Sequence, residues 1–206
     1  MGIPVMILGE SGSGKSTSMR NLEPEKVGVF NVAGKPLPFR KHLKTVNNAT
    51  YSSIYKVLQA PKLKTYIIDD AQYLMAFEEL DRAKETGYTK FTEMALNFSG
   101  LVRFVINKLP PDVIVYFLQH TETTDQGKIK AKTSGKMIDS KLTLEGLFSI
   151  VLLCEVSENG HHFVTQSNGF TTCKSPLDMF DLEIDNDLAF VDKTIREYWN
   201  LGGTEK

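Results

Sequence analysis

Cysteine is scarce in this chain, long apolar runs are absent, and neither sign of charge dominates. The two cysteines, Cys154 and Cys173, lie far apart and form no C-x-x-C pair, which predicts free thiols in a reducing cytosol rather than a disulfide framework. The longest mostly apolar run, residues 147–154, is far shorter than the ~20 residues that a membrane-spanning helix needs. A net charge of −1 argues against a uniformly basic surface that coats nucleic acid.

Length and composition favour one globular domain. The chain has 206 residues, of which 41% are hydrophobic and 24% are charged, as in ordinary globular proteins. We find no internal repeat, low-complexity tract or obvious linker, so we expect residues 1–206 to form a single domain. The first apolar run, residues 3–8, has the length of a strand, and we therefore expect no signal peptide. These features predict a cytoplasmic protein without a membrane segment.

One stretch near the start carries a specific chemical signal. It fits the pattern G-x-x-x-x-G-K-[ST], which binds phosphate groups. Backbone N–H groups must curl around phosphate oxygens, and a side chain at Gly12 or Gly14 would block that approach or forbid the backbone dihedrals. We expect Lys15 to hold the β- and γ-phosphates and Ser16 to ligate Mg²⁺. The predicted cofactor-binding residues are Gly9, Glu10, Ser11, Gly12, Ser13, Gly14, Lys15, Ser16 and Thr17.

The flanks of this stretch support the motif. Residues 3–8 form an apolar run of strand length, and residues 16–22 are typical of the start of a helix. A helix at this place would direct its positive dipole end at the same anion. The alternative interpretation, a flexible Gly/Ser turn between two core elements, agrees less well with the full motif and both flanks.

A second informative stretch is residues 65–70, an apolar strand that ends in Asp69 and Asp70. Ligands of open α/β sheets bind at the carboxyl ends of strands, so both carboxylates should lie beside the phosphate site. Asp69 would hold Mg²⁺, and Asp70 would orient or deprotonate the attacking water. Solvated carboxylates that end a strand are the alternative, which the upstream glycine-rich motif disfavours.

Further apolar runs predict strands at residues 26–32, 112–120 and 148–154. The strand at 112–120 ends in Gln119 and His120. In ATPases that bind phosphate through this motif, a polar residue at such a strand tip often senses the γ-phosphate. The sequence leaves open whether Gln119 or His120 does so, and whether His120 is only a structural residue.

Apolar periodicity predicts helices at residues 51–59, 71–108 and 185–199, with a break near 85–87. Two prolines in residues 34–40 predict a loop. The long second helix should pack on a sheet face through residues at three- and four-residue spacing. These are Phe91, Met94, Ala95, Phe98, Leu101, Val102 and Val105.

Residues 121–137 lack apolar periodicity and carry Lys128, Lys130 and Lys132 at alternate positions. In an extended segment these three side chains point to one side. With Lys136, such a mobile basic loop could bind a phosphate backbone, although it has no aromatic residue for base stacking. A solvated hairpin is the alternative interpretation.

Residues 161–166 and 169–174 flank Ser167 and Asn168, which favours a β-hairpin near the C-terminus. Adjacent residues of a strand face opposite sides, so His161 and His162 would not share a ligand. Cys173 on the predicted facing strand leaves a zinc set incomplete. We therefore expect no metal site in this hairpin.

With these motifs placed, the chain resembles the small phage-type P-loop ATPases with a RecA-like core, some of which are linked to single-strand annealing recombination. The resemblance implies a three-layer α/β fold whose mostly parallel sheet is followed by a C-terminal β-hairpin and helix. It implies ATP and Mg²⁺ as cofactors, hydrolysis through Lys15, Asp70 and His120, a homo-oligomer, and single-stranded DNA as partner. Lys174 would be a candidate to reach the nucleotide of a neighbouring subunit. The residues that carry the resemblance are 9–16, 67–70, 117–120, 165–169 and 174–176.

The chain departs from the RecA-like pattern at Asn31, because those enzymes carry a catalytic glutamate in this region and an amide cannot act as a base. Either Asp70 takes that role or turnover is slow. Three functions remain open: a DNA-dependent recombination ATPase, a nucleotide-gated assembly protein, and a small-molecule kinase. The kinase ranks last because its lid candidate lacks arginine.

Overall fold

The structure is a computed structural model that describes residues 1–134, 143–158 and 160–202. The strands in these residues are β1 (Ile3–Gly9), β2 (Val27–Asn31), β3 (Lys44–Asn47), β4 (Thr65–Asp69), β5 (Ile114–Thr123), β6 (Ile129–Ala131), β7 (Ile150–Ser157), β8 (Gly160–Val164) and β9 (Glu183–Asp185). The α-helices are α1 (Tyr51–Leu58), α2 (Tyr73–Asp81), α3 (Thr89–Lys108) and α4 (Leu188–Tyr198). Two short 3₁₀ helices cover Ser16–Asn21 and Leu144–Leu147.

The strands form one mostly parallel sheet. Neighbouring strands follow the order β3-β2-β4-β5-β1-β7-β8-β9, and β6 pairs with β5 outside this path. The first six strands of that order are parallel, whereas β6, β8 and β9 are antiparallel to their neighbours. The predicted α/β class and mostly parallel sheet are therefore confirmed.

Both faces of the sheet are covered, which explains why its central strands are continuous apolar runs. Met6 and Leu8 of β1 face a core formed with α1, α2 and α3, while Val5 and Ile7 face the other core. The second core is closed by α4 and by Met19 of the first 3₁₀ helix. None of the helices in the described part of the chain combines the length and apolar character that a bilayer crossing requires.

The predicted strands at residues 3–8, 26–32, 65–70, 112–120 and 148–154 are confirmed, with shifts of a few residues at their ends. The helices are likewise present, including the break before α3. Within the predicted apolar stripe of α3, the buried residues are Met94, Phe98, Leu101, Val102 and Val105. The helix expected at residues 16–22 is a six-residue 3₁₀ helix rather than an α-helix. A helix of this length is too short to direct a substantial dipole at the predicted phosphate site.

The predicted hairpin between residues 161–166 and 169–174 is wrong. Instead, β8 pairs antiparallel with β7 on one side and with β9 on the other. The segment after Asn168 forms isolated bridges at Thr171 and Lys174. Phe163 of β8 is fully buried in the second core, and that burial fixes the register of β8 against β7. The sequence predicted that Cys173 lies on a strand that faces His161 and His162. That prediction is wrong, because the facing strands are β7 and β9.

Candidate functional site

The carboxyl ends of β1, β2, β4 and β5 meet at one edge of the sheet. In the strand register, Gly9 lies beside His120, and Asn31 lies beside Asp69. Parallel neighbours end at the same edge, so the glycine-rich loop after β1 and the carboxylates after β4 are brought together there. β5 is the neighbour of both β1 and β4, which places His120 between the loop and Asp70.

A pocket of about 260 Å³ opens at this edge. Nine predicted site residues line it, namely Ser11, Gly12, Gly14, Lys15, Ser16, Thr17, Asp69, Asp70 and His120. The pocket wall also contains Lys35, Pro36, Pro38 and His161. Glu10 and Ser13 instead line a neighbouring cavity, which shares Ser11 and Gly12 with this pocket.

A larger cavity of about 640 Å³ lies at the opposite edge, near Val27 and Thr65 at the amino ends of β2 and β4. Its charged side chains are largely engaged with one another: Lys26 pairs with Glu23, and Arg196 pairs with Asp192 of the same helix. Ligands of open α/β sheets bind at carboxyl ends. We therefore assign the candidate site to the smaller pocket.

The glycine-rich loop requires glycine at two of its positions. Gly12 has φ +82° and Gly14 has φ +100°, a region that other residues rarely adopt. A Cβ atom on Gly14 would lie only 2.8 Å from Nδ1 of His161, whereas a Cβ atom on Gly12 would have no neighbour within 4 Å. Gly12 is therefore required for its conformation, and Gly14 for both conformation and space.

Lys15 is buried within the loop, with only 6% of its surface exposed. Its Nζ donates hydrogen bonds to the carbonyl oxygens of Gly9 at 2.8 Å and Glu10 at 2.7 Å. Burial lowers the pKa of Lys15, while the carboxylates, Asp70 foremost, oppose that shift. The ammonium group is thus held at the floor of the pocket, where it is poorly solvated and available to an anion.

Ser16 and Asp69 form the central contact of the site. The Ser16 Oγ donates a 2.7 Å hydrogen bond to Oδ1 of Asp69. Burial raises the pKa of Asp69 to about 6, although the hydrogen bond from Ser16 acts in the opposite direction. A hydroxyl beside one carboxylate fits Mg²⁺, which takes oxygen ligands and is usually completed by water and phosphate. Among the described residues, no group of three or more His, Cys, Asp or Glu side chains is arranged for a metal held by the protein alone.

Asp70 sits in a left-handed conformation, with φ +58°. Its Oδ2 lies 2.8 Å from Nζ of Lys35, and its Oδ1 lies 3.3 Å from Nε2 of His120. Burial by itself would raise the pKa of Asp70, but the hydrogen bonds and charges of His120 and Lys35 outweigh it and hold the pKa below its usual value. Asp70 is thus a well-stabilised carboxylate and a weak base.

The two candidate sensor residues at the tip of β5 have different surroundings. Gln119 is fully buried, and its Nε2 donates a 2.6 Å hydrogen bond to the carbonyl oxygen of Lys132. His120 lines the pocket and packs edge-on against Tyr73, with ring centroids 5.9 Å apart. Of the two, only His120 is placed to contact a ligand in this pocket.

Lys35 and His161 were not predicted as site residues, and Asn31 was identified only as the place where a catalytic glutamate is absent. Lys35 reaches Asp70, Asn31 donates a 2.6 Å hydrogen bond to the carbonyl oxygen of Lys35, and His161 Nδ1 lies 2.7 Å from the carbonyl oxygen of Ser13. The rule that loops after parallel strands face the ligand edge could have identified Lys35, which closely follows β2. Nothing in the sequence signals His161, because β8 reaches the loop only through the tertiary fold.

The three predicted DNA-binding lysines lie on or beside β6, which forms a hairpin with the end of β5. This pairing shows that residues 121–131 include a hairpin and leaves DNA binding by its lysines a prediction. Lys130 Nζ forms a 2.8 Å ion pair with Glu122, whereas Lys128 and Lys132 are exposed. Lys136 lies outside the described residues. The backbone N–H of Lys132 donates a 2.8 Å hydrogen bond to the carbonyl oxygen of His120, so the hairpin is tied to the pocket.

Lys174 lies in the bridge between residues 171–174 and β7. Its backbone exchanges hydrogen bonds of 2.9 Å and 2.8 Å with Val151, which fixes the position of the backbone. A role of its side chain in a neighbouring subunit stays a prediction.

A scan against protein-family models found no matching family, and a search of curated proteins found no match. The function of the pocket must therefore be inferred from its own residues.

Proposed function

We propose that this protein binds Mg²⁺–ATP in the pocket at the carboxyl edge of the sheet and hydrolyses it, as a P-loop ATPase with a RecA-like core. The observation that carries the proposal is the 2.7 Å hydrogen bond between Ser16 and Asp69, which are 53 positions apart in the sequence. The glycine-rich motif assigns Ser16 as a ligand of Mg²⁺, and the acidic end of β4 assigns Asp69 to the same ion. Two independent sequence signals converge on one contact.

The other residues of the pocket take complementary roles. Lys15 would bind the β- and γ-phosphates through its ammonium group, and the loop from Gly12 to Ser16 would surround them with backbone N–H groups. Bound Mg²⁺ would supply charge neutralisation beside the phosphates. His120 would contact the terminal phosphate from the tip of β5, next to the strand that carries Asp69.

We propose that Asp70 orients the attacking water and that turnover is slow. Both carboxylate oxygens of Asp70 have cationic or imidazole partners, and its pKa is held below the usual value. A general base works best when its pKa lies near the working pH, which Asp70 does not satisfy. Asn31, at the position where the RecA-like resemblance expects a glutamate, supplies no base either.

The binding proposal is tested by calorimetry with Mg²⁺–ATP at several temperatures. Wild type should bind, and Lys15→Ala should bind about 10- to 100-fold more weakly, because a contact with a charged group is lost. Lys62→Ala, an exposed lysine at the far end of the sheet, is the matched control and should bind like wild type. If a folded wild-type protein gives no heat at any temperature, the proposal is wrong.

A role on single-stranded DNA is favoured by the link between the hairpin and the pocket. Lys132 is joined by hydrogen bonds to both His120 and Gln119, so the exposed cations and the strand tip are mechanically connected. We therefore extend the proposal to recombination or annealing on single strands. Nucleotide hydrolysis should then be stimulated by single-stranded DNA.

The DNA role is tested by measuring the salt dependence of binding. Each phosphate contact contributes about 0.7 to the slope of log K against log salt for single strands. Lys128→Ala with Lys132→Ala should therefore reduce the slope by about 1.4. Lys62→Ala, at the far end of the sheet, is the control and should leave the slope unchanged. Salt-insensitive binding, or none, would contradict a DNA role.

The weak basicity of Asp70 also favours an alternative, in which bound ATP controls assembly of a homo-oligomer without DNA-dependent turnover. In that case Asp70→Asn should leave ATP-dependent assembly unchanged in light scattering after size-exclusion chromatography. Loss of assembly or function in this variant would exclude the alternative. Turnover assays of the same samples with and without DNA distinguish it from the ATPase proposal.

A further inference from the structure

Lys35 is a second cation of the pocket to which the phosphate-binding motif assigns no role. It lies in the loop after β2, and its Nζ is 2.8 Å from Oδ2 of Asp70 and 5.7 Å from the centroid of the Tyr73 ring. Its side chain is 63% exposed, whereas the Asp70 side chain is only 8% exposed. The ammonium group therefore reaches from solvent into the wall of the pocket that Lys15 also lines.

The backbone of Lys35 is anchored by Asn31. This asparagine is 3% exposed, and its Nδ2 donates hydrogen bonds to the carbonyl oxygen of Lys35 at 2.6 Å and to Oδ1 of Asn47 at 3.1 Å. Buried amide groups that bond to a loop fix its position. Asn31, which cannot act as a base, instead joins the loop to the ends of β2 and β3. Asn31 is therefore a positioning residue for Lys35.

A simple surface ion pair does not account for this arrangement. Exposed ion pairs contribute little to stability, yet the partner of Lys35 is a buried carboxylate held at φ +58°. That conformation directs Asp70 at Lys35 and His120 rather than away from the pocket. Backbone strain of the kind found at Asp70 is concentrated at sites that bind ligands.

The charges of the pocket indicate which ligand group Lys35 serves. Lys15 is held deep in the loop by Gly9 and Glu10, while Asp69 and Asp70 place two carboxylates in the same pocket. A terminal phosphate near Asp70 would be repelled by its carboxylate unless a cation lies between them. Lys35, whose ammonium group contacts Asp70, would supply such a cation. A diphosphate, which is one phosphate shorter, would depend on this cation much less.

We propose that Lys35 is a specificity-determining residue that makes the pocket prefer a nucleoside triphosphate over a diphosphate. Its ammonium group bridges the Asp70 carboxylate and the terminal phosphate, and Asn31 holds it in reach. This inference rests on the proposed nucleotide-binding function and goes beyond it by assigning the discrimination between the two nucleotides to one side chain.

The test compares the dissociation constants of Mg²⁺–ATP and Mg²⁺–ADP by calorimetry. Wild type should prefer ATP. Lys35→Ala should weaken ATP binding about tenfold, as expected for a partly solvated contact with a charged group, and leave ADP binding nearly unchanged. Lys35→Arg should keep most of the preference because it retains the charge.

Lys41→Ala is the matched control. Lys41 belongs to the same inter-strand segment, but its Nζ donates to the carbonyl oxygen of Leu22, away from the pocket. This variant should bind both nucleotides like wild type, and thermal melting verifies that each variant is folded.

Two results would overturn the inference, and each has a different consequence for the proposed function. If wild type binds both nucleotides but Lys35→Ala keeps the same preference, or loses affinity for both equally, Lys35 does not read the terminal phosphate. In that result the proposed function stands. If folded wild type binds neither nucleotide, the proposed function fails and the role of Lys35 fails with it.

Discussion

Replacing Asp69 by asparagine should stabilise the folded protein at neutral and alkaline pH while removing the ligand that we propose for Mg²⁺. Asp69 is 5% exposed, and burial raises its pKa from 3.8 to about 6. A pKa shift of about 2 units, at 1.36 kcal/mol for each unit, corresponds to a loss of about 3 kcal/mol in the free energy of unfolding when Asp69 is ionised. Asparagine keeps an oxygen that can accept the Ser16 hydrogen bond but carries no charge to bury.

The sign follows from proton binding in the two states. Because the pKa of Asp69 is raised on folding, the folded state holds its proton to higher pH than the unfolded chain does. Ionisation of Asp69 therefore costs stability progressively as pH rises from about 4 to about 6, and the cost is complete above that range. The gain from Asp69→Asn should be about 1.5 kcal/mol at pH 5 and about 3 kcal/mol at pH 8.

Urea denaturation in buffer with a chelator and without nucleotide measures this gain at the two pH values. Asp70→Asn is the matched control, because the neighbouring carboxylate should behave in the opposite way. Its pKa is lowered by His120 and Lys35, so its charge contributes stability at pH 8 that is lost as pH falls through the lowered pKa. Asparagine also tolerates the left-handed backbone of position 70. If Asp69→Asn is no more stable than wild type at pH 8, or its gain does not change with pH, the reasoning is wrong.

Two further substitutions test the loop and the core by urea denaturation. Gly14→Ala should cost about 1–3 kcal/mol, because position 14 has φ +100° and the new methyl group displaces His161; Gly87→Ala, at φ +90° with no neighbour within 4 Å, should show only the backbone part of that cost. Phe117→Ala should cost about 3–5 kcal/mol, because the fully buried ring contacts Phe98 and Phe148. Costs for Gly14→Ala and Gly87→Ala that are equal would contradict the steric argument, and a Phe117→Ala cost below 1 kcal/mol would contradict the packing argument.

The central strands were predictable because each is an apolar run that is buried on both faces. β1 and β4, for example, are buried along almost their whole length. The edge strands β3 and β9 were not predicted. Their residues are exposed or half-buried, and they carry too few apolar side chains to show a period of two.

The error near the C-terminus came from choosing the wrong turn signal. Ser167 and Asn168 suggested a hairpin, but the strand that contains Phe163 pairs with the strand before it. The sequence does contain another turn signal at this place, Asn159 followed by Gly160. Gly160 has φ +107°, a backbone conformation for which glycine is the default residue.

The site was predictable where its chemistry is local in sequence and not where it depends on the fold. The motif residues and the pair Asp69 and Asp70 follow from spacing and from the strand that precedes each of them. Lys35, Asn31 and His161 belong to the site through contacts between separate loops and strands, which no short pattern encodes. Spacing also could not choose between the two polar residues at the tip of β5, since burial decides which one faces the pocket.

Two charged groups of this pocket carry an energetic cost that would fall when an ion of opposite sign binds, and a third residue carries backbone strain. Asp69 is a carboxylate whose ionised form burial disfavours, and a divalent cation would stabilise that form. Lys15 is an ammonium group whose charged form burial disfavours, and a phosphate would stabilise it. Asp70 holds a strained backbone conformation to meet Lys35 and His120. Structural ion pairs elsewhere, such as Arg82 with Glu85, combine no such costs. A pocket that combines a buried carboxylate with a buried ammonium group supports our proposal that it binds a metal-bound polyphosphate.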